Sequence, residues 1–336
     1  MIITRTPFRI SFFGGGTDYP IWYKQNGGAV ISAAIDKYCY ITTRFLPPFF
    51  DYKYRIRYTD RELVKKISQI KHPSVRECLK FFNIDEGLEV VHTSDLPAMS
   101  GLGSSSSFTV GLLNSLYGYK GKKMPPKKLA EDAIMVEQEL IKESVGSQDQ
   151  IIAAFGGFNK ISFNKDKTFK VQPLQISDFK IKQLEENLLL YFTGFQRYAS
   201  DVAKSWIKNT PKKETELQEM GKLVIDAQKI LESKNNNLDD FGRLLDYNWN
   251  LKKSISNKIS NGSIDQIYNA AMESGALGGK LLGAGSGGFI LFYVNPENKE
   301  KVKRKLRKLL YVPFKFEQRG SLIIYNMPES FKNDYK

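Results

Sequence analysis

The segment Pro97-Ala-Met-Ser-Gly-Leu-Gly-Ser-Ser-Ser-Ser107 contains two glycines followed by four consecutive hydroxyl side chains. Apolar residues then recur at helical spacing, at Phe108, Leu112 and Leu116, so a glycine turn that opens a helix is predicted. The first N–H groups of a helix have no partner within it, and the positive end of its dipole favours an anion. The pattern is typical of a phosphate-binding loop, with an ordinary N-cap as the alternative.

A second glycine-rich turn follows the first predicted strand. Residues 1–13 read as a strand, which ends at Gly14-Gly-Gly-Thr-Asp18. Asp18 can accept hydrogen bonds from ligand hydroxyls, or it can be an ordinary turn aspartate. Arg9 lies on the strand face opposite its apolar neighbours, where an arginine is exposed, ion-paired or in contact with a phosphate.

Three acidic residues downstream are candidates for chemistry. After Pro125-Pro126 a helix is predicted, and its apolar stripe consists of Leu129, Ala133, Val136 and Leu140. Glu137 lies about 70° from the stripe centre and Glu139 about 90°, so either can reach the edge of the buried face, with Glu137 favoured. Asp149, between two glutamines, can orient a hydroxyl or accept its proton near a cation, or it can cap a helix.

The second half of the chain contains a further glycine loop. Lys280 begins the segment KLLGAGSGG, which runs into the apolar strand Phe289–Val294. Residues 283–288 fit GxGxxG, but a dinucleotide fingerprint follows a strand and opens a helix, whereas these glycines precede a strand. We therefore expect a loop that packs against the serine-glycine loop.

The remaining pattern predicts further elements and a division into two domains. Helices are expected over about 60–70, 74–82, 212–233, 239–260 and 263–274, with a last helix that reaches about Leu310. Buried strands are expected over 88–93 and 188–193. A polar, lysine-rich stretch near 163–177 places the boundary at 175–185, giving domains 1–180 and 181–330.

Length and charge bound the class of protein. The chain has 336 residues, 41% hydrophobic residues and a net charge of +14. Its basic residues are dispersed apart from the amphipathic segment 299–308, so neither nucleic acid nor a membrane is an expected partner. No apolar run is long enough to span a membrane, no signal-peptide layout is evident, and two cysteines make no disulfide framework, so a cytoplasmic location is expected. The oligomeric state stays open, with a homodimer as one option.

Several enzyme classes lack their motifs in this sequence. There is no GxxxxGK[ST], no HRD or DFG set, no GxSxG elbow and no cluster of zinc ligands. A Walker-type ATPase, a protein kinase, a serine hydrolase and a zinc enzyme are therefore not expected.

The three glycine-containing loops together resemble the three motifs of the GHMP small-molecule kinases, in order and in spacing. The first is TPFRISFFGGGTD at 6–18, the second is the serine-glycine loop and the third is 280–288. The resemblance implies an α+β fold in which a ribosomal-protein-like α/β domain precedes a ferredoxin-like domain, with ATP and the acceptor between them.

The resemblance also implies roles for individual residues. Arg9 and Asp149 correspond to the catalytic basic residue and the catalytic aspartate, and Ser105 and Glu137 to the Mg²⁺ ligands, with Glu139 as the fallback. ATP contacts are implied for Pro97, Ser100, Gly101, Leu102, Gly103, Ser104, Ser105, Ser106, Gly283, Gly285 and Gly287. Acceptor contacts are implied for Gly15, Gly16, Thr17 and Asp18.

Finer features are similar to the heptose 7-phosphate kinases of this superfamily. These features are SFFGGGTDYPIWY at 11–23 and GSQDQ at 146–150. The implied reaction is transfer from MgATP to O1 of the heptose 7-phosphate. Arg197 is the first candidate for the 7-phosphate, followed by Arg44 and Lys37. A kinase for a free sugar such as fucose or mannose is the alternative, and a non-catalytic sugar or nucleotide-binding regulator is a more distant one.

Overall fold

A computed structural model describes residues 1–98, 100–194, 205–234 and 237–327. Within them the strands, β1 to β12, are Ile2–Phe13, Gly28–Phe45, Tyr54–Arg57, Arg61–Val64, Leu88–Ser94, Phe158–Phe163, Phe169–Pro173, Leu188–Phe192, Ala276–Leu281, Phe289–Val294, Leu310–Tyr311 and Leu322–Asn326. The α-helices are Pro20–Asn26, Pro73–Phe81, Ser104–Tyr119, Pro126–Met135, Gln148–Phe155, Asp178–Asn187, Glu214–Glu232, Asp239–Ile255, Gly262–Glu273 and Pro296–Lys305. Val136–Leu140 forms one π-helical turn, and Ile67–Gln69 and Thr210–Lys212 are 3₁₀ turns.

The first sheet is organised by β2, a strand of 18 residues. Its first part, 28–33, pairs with β6, and its last part, 39–45, pairs with β5. The strand order is β12-β1-β2-β5-β3-β4, and β7 pairs with β6. Because β1 is antiparallel to β2 along almost its whole length, the glycine turn after Phe13 lies at one fixed end of the sheet.

The helix after the serine-glycine loop lies against β1 and β2. Nearly all of its side chains are buried, since both the sheet and neighbouring helices cover it. Gly111 allows the helix backbone to approach β1 closely, because a Cβ at this position would lie 2.8 Å from the Thr6 hydroxyl. The Thr4 hydroxyl donates to the Gly111 carbonyl at 3.0 Å. This packing holds the N-terminus of the helix next to the middle of β1.

The second sheet is antiparallel, with the order β11-β8-β10-β9. Numbered along the chain these strands are in the order 4-1-3-2, which is the ferredoxin-like arrangement. The expected α+β fold is therefore confirmed, with helices of the second half covering this sheet.

One hydrophobic core connects the two halves. The ring of Phe241, from the helix Asp239–Ile255, lies 5.5 Å from Phe12 and 5.2 Å from Phe13. The chain also returns to its start, because β12 pairs with β1. The division at residue 180 stays a prediction, but the last strand belongs to the first sheet.

Three predicted helices differ from the structure. The helix expected at about 60–70 is wrong, because Arg61–Val64 forms a hairpin with β3 and only Ile67–Gln69 is helical, as a 3₁₀ turn. The Glu62 carboxylate is buried there and accepts hydrogen bonds from the N–H groups of Lys71 and His72. The helix 239–260 ends at Ile255, and the last helix ends at Lys305 rather than near Leu310.

No described helix combines the length and the apolar character that crossing a bilayer needs.

Candidate active site

A cavity of about 520 Å³ lies where the three glycine loops meet. Predicted site residues that line it are Arg9, Gly15, Gly16, Asp18, Gly101, Gly103, Ser104, Ser105, Ser106, Asp149 and Gly283. They come from the end of β1, the serine-glycine loop, the helix Gln148–Phe155 and the loop before β10. Residues far apart in the sequence therefore share one cleft.

The serine-glycine loop presents the N-terminus of a 16-residue helix to this cavity. Gly103 is the N-cap, with φ of +78° and no side chain that could cap the helix. The loop is fixed to β1, because the Arg9 N–H donates to the Leu102 carbonyl at 3.0 Å. The positive end of the helix dipole makes this turn suitable for phosphate oxygens.

Arg9 and Asp149 form an ion pair beside this turn. Arg9 donates from Nε to Oδ1 at 2.7 Å and from Nη2 to Oδ2 at 2.8 Å. Its Nη1 donates to the Gly101 carbonyl at 2.7 Å, so the guanidinium links the carboxylate to the loop. Arg9 is 4% exposed, whereas the Asp149 side chain is 25% exposed. Asp149 can therefore meet a ligand while Arg9 holds its orientation.

Glu137 lies on the π-helical turn and is completely buried. Its Oε2 accepts a hydrogen bond from the Ser106 hydroxyl at 2.9 Å and another from the Gln150 side chain. Its Oε1 has no partner in the part of the chain that the structure describes. Burial raises the pKa of this carboxyl to about 7. A buried acidic oxygen without a donor fits a cation.

The oxygen donors of this set suit magnesium, with Ser106 on the cavity wall and Glu137 directly behind it. Mg²⁺ in nucleotide sites usually takes one or two protein oxygens and completes its shell with phosphates and water. Within the described ranges no cluster of three histidine, cysteine, aspartate or glutamate side chains could hold a metal. A single carboxylate with a neighbouring serine is the composition expected for a metal that arrives with a nucleotide.

The assignment of individual metal ligands stays a prediction. The structure brings Ser106, rather than the predicted Ser105, into contact with Glu137, while Ser105 is exposed and lines the cavity. Glu139, the fallback ligand, is exposed. Leu140, expected on the buried stripe, is 42% exposed. The π turn changes the spacing along the helix, so the α-helical stripe misplaced Leu140, whereas Glu137 lies on the buried side that the stripe favoured for it.

Asp18 closes the opposite side of the cavity. Its Oδ1 accepts the Gly16 N–H at 2.8 Å, and its Oδ2 accepts from the Gln148 side chain at 3.0 Å. Burial raises the pKa of this carboxyl, and the charge of Asp149 acts in the same direction. The two carboxylates thus share one cavity, and a hydroxylated ligand between them would contact both.

Some predicted residues lie behind the cavity wall. Thr17 is buried and its hydroxyl bonds to the carbonyls of Gly14 and Ala29, so it shapes the glycine turn. The other predicted ATP contacts that do not line the cavity are Pro97, Ser100, Leu102, Gly285 and Gly287. Their direct contact with ATP stays a prediction.

The predicted 7-phosphate ligands are not resolved by the geometry. Arg197 lies outside the described residues. Arg44 pairs with Glu89 at 2.5 Å and Lys37 with Asp36 at 2.9 Å, and neither lines the cavity.

Sequence reasoning missed several polar residues of the cavity wall, among them Ser11, Gln148, Trp206, Lys252 and Lys280. Ser11 Oγ, Gln148 Oε1 and Trp206 Nε1 are buried and have no hydrogen-bond partner among the described residues. The signal for Lys252 was present in the sequence, because it continues the buried helical stripe of Leu245, Trp249 and Ile255. A lysine at such a position needs a polar partner or a ligand.

Two family models match the chain. The GHMP kinases N terminal domain matches residues 62–157, and the GHMP kinases C terminal domain matches residues 227–312. Among characterised proteins, D-glycero-alpha-D-manno-heptose 7-phosphate kinase from Campylobacter jejuni is 32% identical over 331 residues, covering 91% of this chain and 93% of that protein. The chain belongs to the GHMP kinase family.

One further protein and one solved structure are similar to this GHMP kinase. L-fucokinase/L-fucose-1-P guanylyltransferase from Bacteroides fragilis is 26% identical over 91% of this chain, which spans 35% of that longer protein. The crystal structure of a D-glycero-D-manno-heptose 1-phosphate kinase from Bacteroides thetaiotaomicron superposes with a TM-score of 0.78. It covers 97% of this chain and 100% of its own at 24% identity, and it supports the fold. As a GHMP kinase, the protein is a phosphotransferase with an alcohol group as acceptor.

Proposed function

We propose that this GHMP kinase transfers the γ-phosphoryl group of MgATP to O1 of D-glycero-D-manno-heptose 7-phosphate, giving the 1,7-bisphosphate. The observation that carries the proposal is the Asp149 carboxylate, which is held by Arg9 directly beside the N-terminus of the phosphate-loop helix. The choice of sugar rests on the similarity to the Campylobacter jejuni enzyme over nearly the full length of both chains.

Asp149 acts on the acceptor hydroxyl. Its carboxylate accepts a hydrogen bond from that hydroxyl and then takes its proton. The hydroxyl oxygen forms a bond to the γ-phosphorus as the bond from that phosphorus to the β–γ bridging oxygen breaks. ADP leaves with the electron pair of the broken bond. Both Arg9 contacts to Asp149 are short, so the carboxylate keeps one orientation throughout.

The phosphate loop supplies stabilisation of charge. The helix Ser104–Tyr119 begins at Gly103, which lines the cavity, so the positive end of its dipole would stabilise phosphate oxygens bound there. Magnesium, when bound, neutralises charge on the triphosphate. Glu137 and a serine of the loop, Ser105 or Ser106, are the residues that would hold it.

The wall around Asp18 is suited to a polyhydroxylated acceptor. Ser11 Oγ, Gln148 Oε1 and Trp206 Nε1 are buried polar atoms without protein partners. Each leaves a hydrogen bond unmade, which costs about 1–3 kcal/mol unless a ligand or water makes it. Sugar hydroxyls are donors and acceptors, and they can satisfy all three.

A substrate panel tests the proposal. Purified protein, ATP and Mg²⁺ are incubated with D-glycero-D-manno-heptose 7-phosphate, the unphosphorylated heptose, fucose and mannose, and ADP release is followed. We expect the highest kcat/KM for the heptose 7-phosphate and a product with one new phosphate on the anomeric carbon by ³¹P NMR. A higher kcat/KM for a free sugar would assign the protein to the free-sugar kinases, and ATP binding without ADP release would indicate a regulator.

We also propose that the enzyme works in the cytoplasm. Cys39 and Cys78 are buried free thiols, and free thiols are typical of a reducing compartment such as the cytoplasm.

A further inference from the structure

Lys252 is a buried ammonium group without a carboxylate partner among the residues that the structure describes. The residue is 7% exposed. Its Nζ donates to two carbonyls, those of Leu281 at 3.3 Å and of Gly283. A buried cation is costly unless an opposite charge compensates it, and carbonyl dipoles compensate only part of that cost. Burial and the nearby Arg9 lower the pKa of Lys252 to about 7, although the charge of the Asp18 carboxylate across the cavity acts in the opposite direction. A bound anion would supply the missing charge.

The two glycine loops bring Lys252 to the phosphate loop. A Cβ on Gly283 would lie 2.4 Å from the Gly101 Cα, so the two backbones are in direct contact. Lys252 bonds to the Gly283 carbonyl, and Arg9 Nη1 bonds to the Gly101 carbonyl at 2.7 Å. Two cations therefore converge on the junction of the two loops, and both line the cavity.

These two cations differ in how much of their charge is available. Arg9 is paired with Asp149 through two hydrogen bonds, so its charge is largely offset before any ligand binds. Lys252 has no such pair in the described ranges, and one of its three N–H donors remains after the two carbonyl contacts. Lys280 lines the same cavity, but its Nζ donates to the Phe12 carbonyl at 2.7 Å, at the end of β1, whereas Lys252 donates to the loop carbonyl of Gly283.

Phosphoryl transfer spreads negative charge over the three outer oxygens of the group in flight. That group must pass between the phosphate loop and the hydroxyl on Asp149. The loop junction next to Asp149 is the place where Arg9 and Lys252 meet.

We propose that Lys252 is a further catalytic residue, whose ammonium group contacts the phosphoryl group as it moves from ATP to the acceptor. The proposal rests on the kinase reaction itself and is independent of which sugar accepts the phosphate. In this arrangement Arg9 orients Asp149. Lys252, on the helix Asp239–Ile255 of the second half of the chain, provides the positive charge next to the phosphoryl group.

The test compares Lys252→Met and Lys252→Arg with Lys258→Met. Lys258 follows the same helix and its side chain is exposed, so its change matches the loss of charge without touching the cavity. We expect Lys252→Met to lower kcat by about 10²–10³-fold, the cost of removing one preorganised donor from a transition state. The KM values for ATP and for the acceptor should stay close to wild type, Lys252→Arg should recover part of kcat, and Lys258→Met should resemble wild type.

A binding measurement separates this role from a structural one. Calorimetry with the acceptor present gives the affinity for ADP with aluminium fluoride, which mimics the group in transfer, and for a non-hydrolysable ATP analogue. Lys252→Met should weaken the first by far more than the second. Equal weakening of both, or a rise only in the acceptor KM, would overturn the proposal, and so would a normal kcat in folded Lys252→Met protein. If that variant does not fold, Lys252→Arg must show the unequal weakening.

The acceptor in this experiment is the sugar of the panel that the wild-type protein phosphorylates fastest. If the proposed substrate is wrong, only the acceptor changes, and the test of Lys252 is still valid.

Discussion

Gly101 and Gly283 allow the two glycine loops to touch, and no larger residue could take either place. Both have positive φ, +80° and +70°. A Cβ on Gly101 would lie 2.6 Å from the Leu282 carbonyl oxygen, and one on Gly283 would meet the Gly101 backbone. These contacts are with main-chain atoms, so an added methyl group must displace a loop.

Gly283→Ala should therefore raise the KM for ATP more than an alanine with an unfavourable φ alone would. We expect at least about a 10-fold higher KM for ATP, since small displacements of a binding loop have large effects on rate. Gly121→Ala is the matched control, because its φ is +70° but nothing lies within 4 Å of its added Cβ. It should cost about 1–2 kcal/mol of stability and leave the KM unchanged. Similar KM values in both variants would show that the loop contact is unimportant.

Individual residues of the site were predictable where the motif fixes the backbone. The glycine pattern and the predicted Arg9 and Asp149 lie together in the cavity. Lys252 was missed because its role depends on which helix of the second half faces the cleft, and sequence pattern alone does not specify that contact. The sequence likewise did not show whether Ser105 or Ser106 faces Glu137. Successive side chains on a helix point about 100° apart, so the answer depends on the exact residue at which the helix begins.

The π turn Val136–Leu140 is the element that most affects the site. It inserts extra backbone into a helix that begins as regular α-helix at Pro126. Such turns are rare in proteins overall, but those that occur are often found at functional sites. A stripe calculated at 3.6 residues per turn could place Glu137 near the buried face, but could not predict its complete burial or the exposure of Leu140.

Glu137 should make the ligand-free protein less stable as the pH rises. Its pKa of about 7 in the folded state exceeds the ordinary value of 4.5, so the folded state binds more protons than the unfolded state between these values. The stabilisation is complete below about pH 4.5 and is lost by about pH 7, a difference of about 3 kcal/mol.

Urea unfolding of wild type, Glu137→Gln and Glu139→Gln from pH 5 to pH 8, without Mg²⁺ or nucleotide, measures this effect. Glu137→Gln keeps an acceptor for Ser106 and should lose about 3 kcal/mol of the pH-dependent stability. Glu139 is exposed, so Glu139→Gln should follow wild type. A Glu137→Gln curve with the wild-type slope would contradict the buried acid.

Local pattern also failed for Arg61–Val64, where a helix was expected. The strand exists because it pairs with β3 and buries Glu62 among backbone N–H donors. That stabilisation comes from tertiary contacts, which a helical count of apolar residues does not contain. The helix Ser104–Tyr119 was predicted correctly, because its apolar residues recur at helical spacing and no proline interrupts it.

One hydrophobic core runs through both halves of the molecule, and a second cluster of buried residues lies against the second sheet. Phe241 from the second half contacts Phe12 and Phe13 at the end of β1, the same end that carries the glycine turn. The pairing of β12 with β1 adds a second connection between the chain ends. The sequence predicted a closing strand in this region, but not its partner, because strand pairing over such a distance leaves no local signal.

Phe241→Ala should destabilise both halves together. The ring is fully buried, so we expect a loss of about 3–5 kcal/mol. Guanidinium unfolding followed by tryptophan fluorescence and by circular dichroism should give coincident transitions that shift together. Tyr247→Ala on the same helix removes a side chain that is 46% exposed and should have a small effect. Two separated transitions would show that the halves unfold independently.

The catalytic role of Asp149 is tested by comparing Asp149→Asn with Asp51→Asn, since Asp51 is an exposed aspartate that does not line the cavity. Turnover with the best acceptor and the Kd for MgATP are measured for both. We predict that Asp149→Asn lowers kcat by at least about 10²-fold while MgATP binding persists, and that Asp51→Asn matches wild type. A kcat near wild type in folded Asp149→Asn protein would contradict a phosphate loop that acts opposite this carboxylate.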